Sequence, residues 1–309
     1  MKKFKLLSLG GLTIAGIHFF NKYISEKALV QNNSFTDFEY KWSYGSIRYS
    51  KQGNGAPVLL IHDLTAGSSS YEWKFIASSL EKKHTVYTLD LLGCGNSDKP
   101  VFTYTNFLFV QLLKDFVADI INDSCDIVTS GTSCEIALMY ALTPNCSAKK
   151  IITVNPYFAS SEELLSKKNK YCNYFYQLPV LGTFAANLKN SREAFEQLFY
   201  NNYYYDDYAI SSDCIDAYYS AYHTNGTSRG LFSSILNHYT HTDTSGALNR
   251  LTIPLSVIAG AYEPDIDTAI NTYKTADTFT GADFIPDTRH LPHLEKPDEF
   301  VKVLMPLLS

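Results

Sequence analysis

The stretch Asp126-Ile-Val-Thr-Ser-Gly131-Thr132-Ser133-Cys134-Glu135-Ile-Ala-Leu138 decides the fold. An apolar run passes through a turn of small residues into a segment with helical spacing, so the order is strand, turn, helix. A serine on such a turn exposes its hydroxyl at a sheet edge when small residues two before and two after it let the chain bend sharply. Gly131 supplies the first of these, and Glu135 stands where the second belongs. Taken alone, the pattern also fits an ordinary strand-to-helix turn.

Working outward, Val58 to Ile61, Thr85 to Leu89, Ile151 to Val154 and Leu255 to Ala259 are further short apolar runs bounded by turn residues. Helical stretches lie between several of them, at Trp73 to Leu80, Phe107 to Ile121 and Cys134 to Leu142. Strands alternating with helices predict an α/β fold with a doubly wound, mostly parallel sheet covered on both faces. Ahead of it, Phe38 to Trp42 and Ser46 to Tyr49 alternate around Tyr44-Gly45, which predicts an antiparallel hairpin. Roughly Tyr157 to Arg250 carries no buried strand, is rich in Tyr, Phe, Asn and Ser, and is too long for a plain loop. It predicts an inserted helical lid. The expected organisation is an N-terminal segment over 1–30, core over 31–156, lid over 157–250 and core again over 251–309.

A serine nucleophile needs a base, and the base needs an acid to hold its tautomer. His290, on a loop after a strand near Asp283 to Ile285, is the expected base, with His293 a structural neighbour. The acid is expected just after Val257-Ile-Ala-Gly260, where Glu263 fits best, Asp265 second and Asp267 third. Ser133, Glu263 and His290 occur in the chain order of the α/β-hydrolase triad. The loop after Pro57-Val-Leu-Leu-Ile-His62-Asp63-Leu64 is placed to supply one backbone N–H to an oxyanion, and the N–H of Cys134 the other.

These segments resemble the α/β-hydrolase superfamily over residues 38 to 309, in particular the lidded branch of bacterial esterases and haloperoxidase-like proteins. The resemblance rests on Leu-Leu-Ile-His62-Asp63 with Gly67-Ser68-Ser69 and Trp73, on Leu89-Asp90-Leu-Leu-Gly93-Cys-Gly95-Asn-Ser97-Asp98, and on His290-Leu-Pro-His293-Leu-Glu295-Lys-Pro297. It implies Ser133 as nucleophile, His290 as base, Glu263 as acid and the Leu64 backbone as first oxyanion donor. Three residues depart from the pattern: Asp63, Glu135 and Arg289 each stand where a glycine is usual. Branches that use an aspartate at the elbow form alkyl intermediates, so a serine there implies an acyl intermediate instead. The expected activity is hydrolysis of a carboxylic ester or related acyl bond in a small molecule, without metal or cofactor. A different class, a non-catalytic ligand-binding protein on the same fold, follows if the three departures disable the chemistry.

The 309 residues are 45% hydrophobic and 18% charged, which suits a sizeable core. A net charge of −5 gives no concentrated basic face for nucleic acid. Lys2, Lys3 and Lys5 precede the uncharged run Leu6 to Phe20, the pattern of a signal anchor. A cleaved signal peptide or a plain helix are the alternatives, but bulky His18, Phe19 and Phe20 stand where a cleavage site wants small residues. The expectation is a transmembrane helix that tethers the catalytic domain to a membrane on its extracytoplasmic side. The six cysteines are scattered without close pairs and read as buried thiols. Oligomeric state is not legible.

Overall fold

The computed structural model describes residues 2–29, 36–157 and 168–309, with side chains of the first helix described from Thr13 to Ala28. Residues 30–35 of the connector and 158–167 of the expected lid lie outside it, as do the side chains of Lys2, Lys3 and Lys5.

Eight strands form one sheet: β1 (Phe38–Trp42), β2 (Gly45–Gln52), β3 (Ala56–Ile61), β4 (His84–Leu89), β5 (Cys125–Ser130), β6 (Ala148–Val154), β7 (Leu255–Gly260) and β8 (Phe279–Ile285). Their spatial order is β1-β2-β4-β3-β5-β6-β7-β8. The β1–β2 hairpin and the β2–β4 pairing are antiparallel, and β4 through β8 are parallel. Alternation along each central strand sorts the core into two layers. Leu59, Ile61, Ile127 and Val257 pack on one face; Val58, Leu60, Val128 and Ile258 pack on the other with Trp73, Ile76, Leu80 and Phe300. Each such side chain stabilises the fold by about 1.5–3 kcal/mol when fully buried. The sheet is therefore covered on both sides, by helices that include α2 (Lys74–Leu80), α3 (Asn106–Phe116) and α4 (Ser133–Ala141).

Between β6 and β7 the described residues are helical: α5 (Lys170–Gln177), α6 (Leu181–Lys189), α7 (Arg192–Leu198), α8 (Ser212–His223), α9 (Arg229–Leu236) and α10 (Ser245–Leu248). Many of the tyrosines of this insertion are packing residues. Tyr203, Tyr204, Tyr218 and Tyr222 join Phe195 and Phe199 in a buried cluster that reaches Ala66 and Tyr71 on one side and Leu291 and Leu294 on the other. The insertion is thus tied to the loops after β3 and β8, where the parallel strands end.

The N-terminal expectation is overturned. Among the described residues no helix is long and apolar enough to cross a membrane, so the transmembrane anchor and the outward placement built on it are withdrawn. The helix itself, α1 (Lys2–Leu29), packs on the insertion. Asn21 donates from Nδ2 to the Val180 carbonyl at 3.1 Å and accepts at Oδ1 from Asn187 Nδ2 at 3.2 Å. Phe20 meets Phe184 edge to face with centroids 5.8 Å apart. A helix that buries an asparagine in protein contacts has a polar face matched to protein rather than to hydrocarbon.

Candidate active site

In an open parallel sheet, ligands bind beyond the carboxyl ends of the strands. Five loops converge there, after β3, β5, β6, β7 and β8. His290, from the loop after β8, places Nδ1 2.8 Å from Glu263 Oε1, from the loop after β7. Asp265 and Asp267 are exposed, so of the three candidate acids it is Glu263 that meets the imidazole. Asn155, held at φ 44° after β6, fastens both loops: its Nδ2 donates to the Arg289 and His290 carbonyls at 2.7 and 2.9 Å, and its Oδ1 accepts the Gly260 N–H at 2.9 Å. Tyr203 stacks on the His290 ring with centroids 4.9 Å apart.

The expected Ser133–His290 pairing is not formed. Ser133 is fully buried in the first turn of α4, and its hydroxyl donates to the His62 carbonyl at 2.7 Å. His290 Nε2 instead faces Asp63 Oδ2 at 3.3 Å. The physical reason is the register of the elbow. The strand ends at Ser130, and the residue that turns the chain is Gly131, at φ +56°. Two residues on, the helix has begun and Ser133 points into the protein.

Two backbone N–H groups mark the same register. In an elbow of this kind the second donor is the N–H of the residue that follows the turning residue, opposite an N–H from the loop after β3. The Thr132 and Leu64 N–H groups converge on one point, each 2.7 Å from Asp63 Oδ1, and the Thr132 hydroxyl adds a third bond at 2.8 Å. Of the two expected N–H groups, that of Leu64 is one of the convergent pair, whereas that of Cys134 bonds the Gly131 carbonyl at 3.2 Å and Thr132 supplies the other. The place of an elbow side chain falls at Gly131, which has none. Asp63 fills it.

The surrounding polar groups fix the Asp63 loop. His62 Nε2 accepts the Leu91 N–H at 3.0 Å, so Nδ1 carries the proton and donates to the Asp63 carbonyl at 2.6 Å. Buried Glu72 accepts the Asp63 N–H at 2.9 Å and the Tyr218 hydroxyl at 2.7 Å. Burial, reinforced by the Asp63 charge, pushes the Glu72 carboxyl up to about 7. Burial alone would lower the His290 pKa, but hydrogen bonds and charge from Asp63 and Glu263 outweigh it and push it up to about 10. Burial would likewise raise Asp63, yet bonding to His290 and Thr132 holds it below the ordinary carboxylate value. Burial and the neighbouring His290 charge push buried His293 down to about 3, so it is neutral, stacked on Trp73 at 4.3 Å.

The other two departures are engaged by other partners. Glu135 Oε2 accepts Asn106 Nδ2 at 3.0 Å at the start of α3. The Arg289 N–H bonds Glu295 Oε2 at 3.0 Å, and the other Glu295 oxygen accepts the Tyr205 and Asp206 N–H groups at 2.8 and 2.9 Å, which ties the histidine loop to the insertion. Among the described residues no group of three or more His, Cys, Asp or Glu side chains is arranged to hold a metal.

The parallel sheet, the insertion after β6 and an acid–histidine pair at the strand ends define an α/β-hydrolase architecture. The chain belongs to the alpha/beta hydrolase family, whose model matches residues 58–303. It is 37% identical over 71 residues to the 2-hydroxy-6-oxo-6-(2'-aminophenyl)hexa-2,4-dienoic acid hydrolase of Metapseudomonas resinovorans, a match that spans 23% of this chain and 24% of that enzyme. Over 273 residues it is 21% identical to the proline iminopeptidase of Heyndrickxia coagulans, spanning 85% and 93% of the two chains. A serine hydrolase of carbazole degradation superposes with a TM-score of 0.71 at 18% identity, over 88% of this chain and 98% of that one.

Proposed function

We propose that this chain is a hydrolase of small molecules in which His290, oriented by Glu263, moves the proton, and the Leu64 and Thr132 N–H groups stabilise a developing negative charge. Residues 157–250 serve as its lid. The observation that carries this reading is the pair of N–H groups converging at 2.7 Å on one oxygen, across from an imidazole held at 2.8 Å by a carboxylate. Donors aimed at one oxygen and a fixed acid–histidine pair are the two parts that hydrolytic addition needs. The dienoic acid hydrolase and the iminopeptidase among its relatives support hydrolysis as the reaction class without choosing the bond. An acyl-enzyme on Ser133 is no part of the reading, because that hydroxyl is buried on the His62 carbonyl.

The test is turnover of a panel of nitrophenyl esters and aryl epoxides by the full chain and by His290→Gln. We expect loss by about 100-fold or more in the variant for whichever substrate turns over. Wild-type turnover that survives the substitution removes the reading. A second reading, ligand binding without chemistry, is favoured by one observation, the absence of a side chain on the turning residue Gly131. Wild-type inactivity together with saturable binding of a panel member would select it.

A further inference from the structure

We propose that Asp63, from the loop after β3, is the covalent nucleophile of this site, and that the substrate is an epoxide on an apolar small molecule. This rests on the hydrolytic reading above and names its missing attacking group.

The two oxygens of Asp63 are not equivalent. Oδ1 takes three short bonds, from the Leu64 N–H, the Thr132 N–H and the Thr132 hydroxyl. Among the described residues Oδ2 has the single longer contact to His290, at 3.3 Å. One oxygen is therefore held still and the other is left to attack. The held oxygen is the one that becomes an ester carbonyl, already seated where the charge of a tetrahedral intermediate would develop. A carboxylate attacking an acyl carbon makes an anhydride; attacking a saturated carbon, it makes an ester that water can cleave at its acyl carbon.

The choice of an epoxide comes from the proton. Each ring nitrogen of His290 faces a carboxylate oxygen, Nδ1 that of Glu263 and Nε2 that of Asp63. Ionised carboxylates only accept, so both nitrogens donate and the ring is an imidazolium. A leaving halide would take no proton and would strand that ring unable to activate water. An epoxide does the opposite. Oδ2 bonds to an epoxide carbon, the C–O bond breaks, and the alkoxide takes the Nε2 proton, leaving neutral His290 and an alkyl ester of Asp63. Neutral His290 then takes a proton from water as the hydroxide adds to Cγ, with the charge on Oδ1 facing Leu64 and Thr132. Collapse expels the second alkoxide, which takes the proton of the newly formed Asp63 carboxylic acid. The diol leaves with Asp63 ionised and His290 protonated, as at the start. The Tyr203 ring stacked on His290 offers an aromatic face that suits an apolar substituent.

The test is a single turnover of styrene oxide by excess full-length protein in water labelled with the heavy oxygen isotope. The expected result is label in the peptide carrying Asp63 and none in the first-turnover diol, with turnover by folded Asp63→Asn lower by about 100-fold or more. Label in the diol with an unlabelled Asp63 peptide, in a reaction that still needs His290, overturns the nucleophile and leaves the hydrolytic reading intact. A stable adduct on Asp63 without diol supports the nucleophile and removes the hydrolytic reading. Neither adduct nor diol overturns the proposal, while turnover of nitrophenyl esters in the same preparation would keep the broader reading.

Discussion

A Cβ placed on Gly131 would lie 2.3 Å from Asp63 Oδ1, so the Asp63 carboxylate occupies the volume that a side chain at the tip of the elbow would fill. The two positions are matched. One departs from the family pattern by carrying a carboxylate, the other by carrying nothing, and either change alone would collide with the other or leave a void between oriented N–H donors.

That matching is measurable. Gly131→Ser alone must place a side chain at φ +56° against Asp63, and should cost roughly 2–4 kcal/mol from left-handed strain and overpacking together. Asp63→Gly in the same chain should recover part of the loss, with a coupling of about 1–3 kcal/mol in a double-mutant cycle by denaturant melts. The double variant carries a serine on the elbow, opposite His290 and the two N–H groups. It should gain covalent labelling by a fluorophosphonate, which the wild type should lack. Labelling of the wild type at Ser133 would return that residue to the mechanism.

Ser133→Ala separates burial from catalysis. The hydroxyl satisfies the His62 carbonyl at 2.7 Å, so its loss should lower stability by about 1–2 kcal/mol while turnover stays within about threefold of wild type. Thermal melts and steady-state kinetics on one preparation check both halves. A loss of turnover by orders of magnitude with unchanged stability would contradict the placement.

The sheet was legible because its signals are local. Val58 to Ile61 or Leu255 to Ala259 can only be buried strands once helices alternate with them, and the structure extends each by one or two residues. The Glu263–His290 contact was legible because both residues follow strands directly: Glu263 comes three residues after β7, and His290 closes the loop after β8. The tip of the elbow was not. Gly131-Thr-Ser133-Cys-Glu135 invites a reading centred on the serine, whereas the turn belongs to the first residue after the strand, the one that needs positive φ. The clue available was Asp63 itself, a carboxylate where only backbone is wanted, beside a glycine that can make room for it. The N-terminal run misled for another reason: a short apolar stretch does not say whether lipid or protein covers it, and Asn21 answers through partners 159 and 166 residues away.

The proposed acid can be told from its neighbours. Glu263→Gln removes the charge 2.8 Å from Nδ1 and should lower turnover by about 100-fold, whereas Asp265→Asn, at an exposed position that precedes α11 (Ile266–Tyr273), should change it by less than about threefold. Equal losses in the two variants would show that Glu263 acts through loop structure and not through the imidazole.

The last prediction concerns pH. The folded-state pKa of His290 is raised from 6.5 to about 10, so its contribution to stability is fully present below its ordinary value and is lost as pH rises through about 10. Asp63, lowered in the folded state, contributes above the ordinary carboxylate range and loses that contribution only as pH falls through and below it. The melting-temperature gap between wild type and His290→Gln should therefore be widest near about pH 6 and narrow steadily toward about pH 10, because the variant lacks the charge that both carboxylates meet. A gap that widens with pH would mean that the ring is neutral in the folded protein. Activity carries the same sign: a histidine that must donate a proton first loses turnover as pH climbs through its pKa, whereas a histidine that must accept one first gains it. Turnover that falls above about pH 10, in step with the closing stability gap, would tie the proton on His290 to both the fold and the first chemical step.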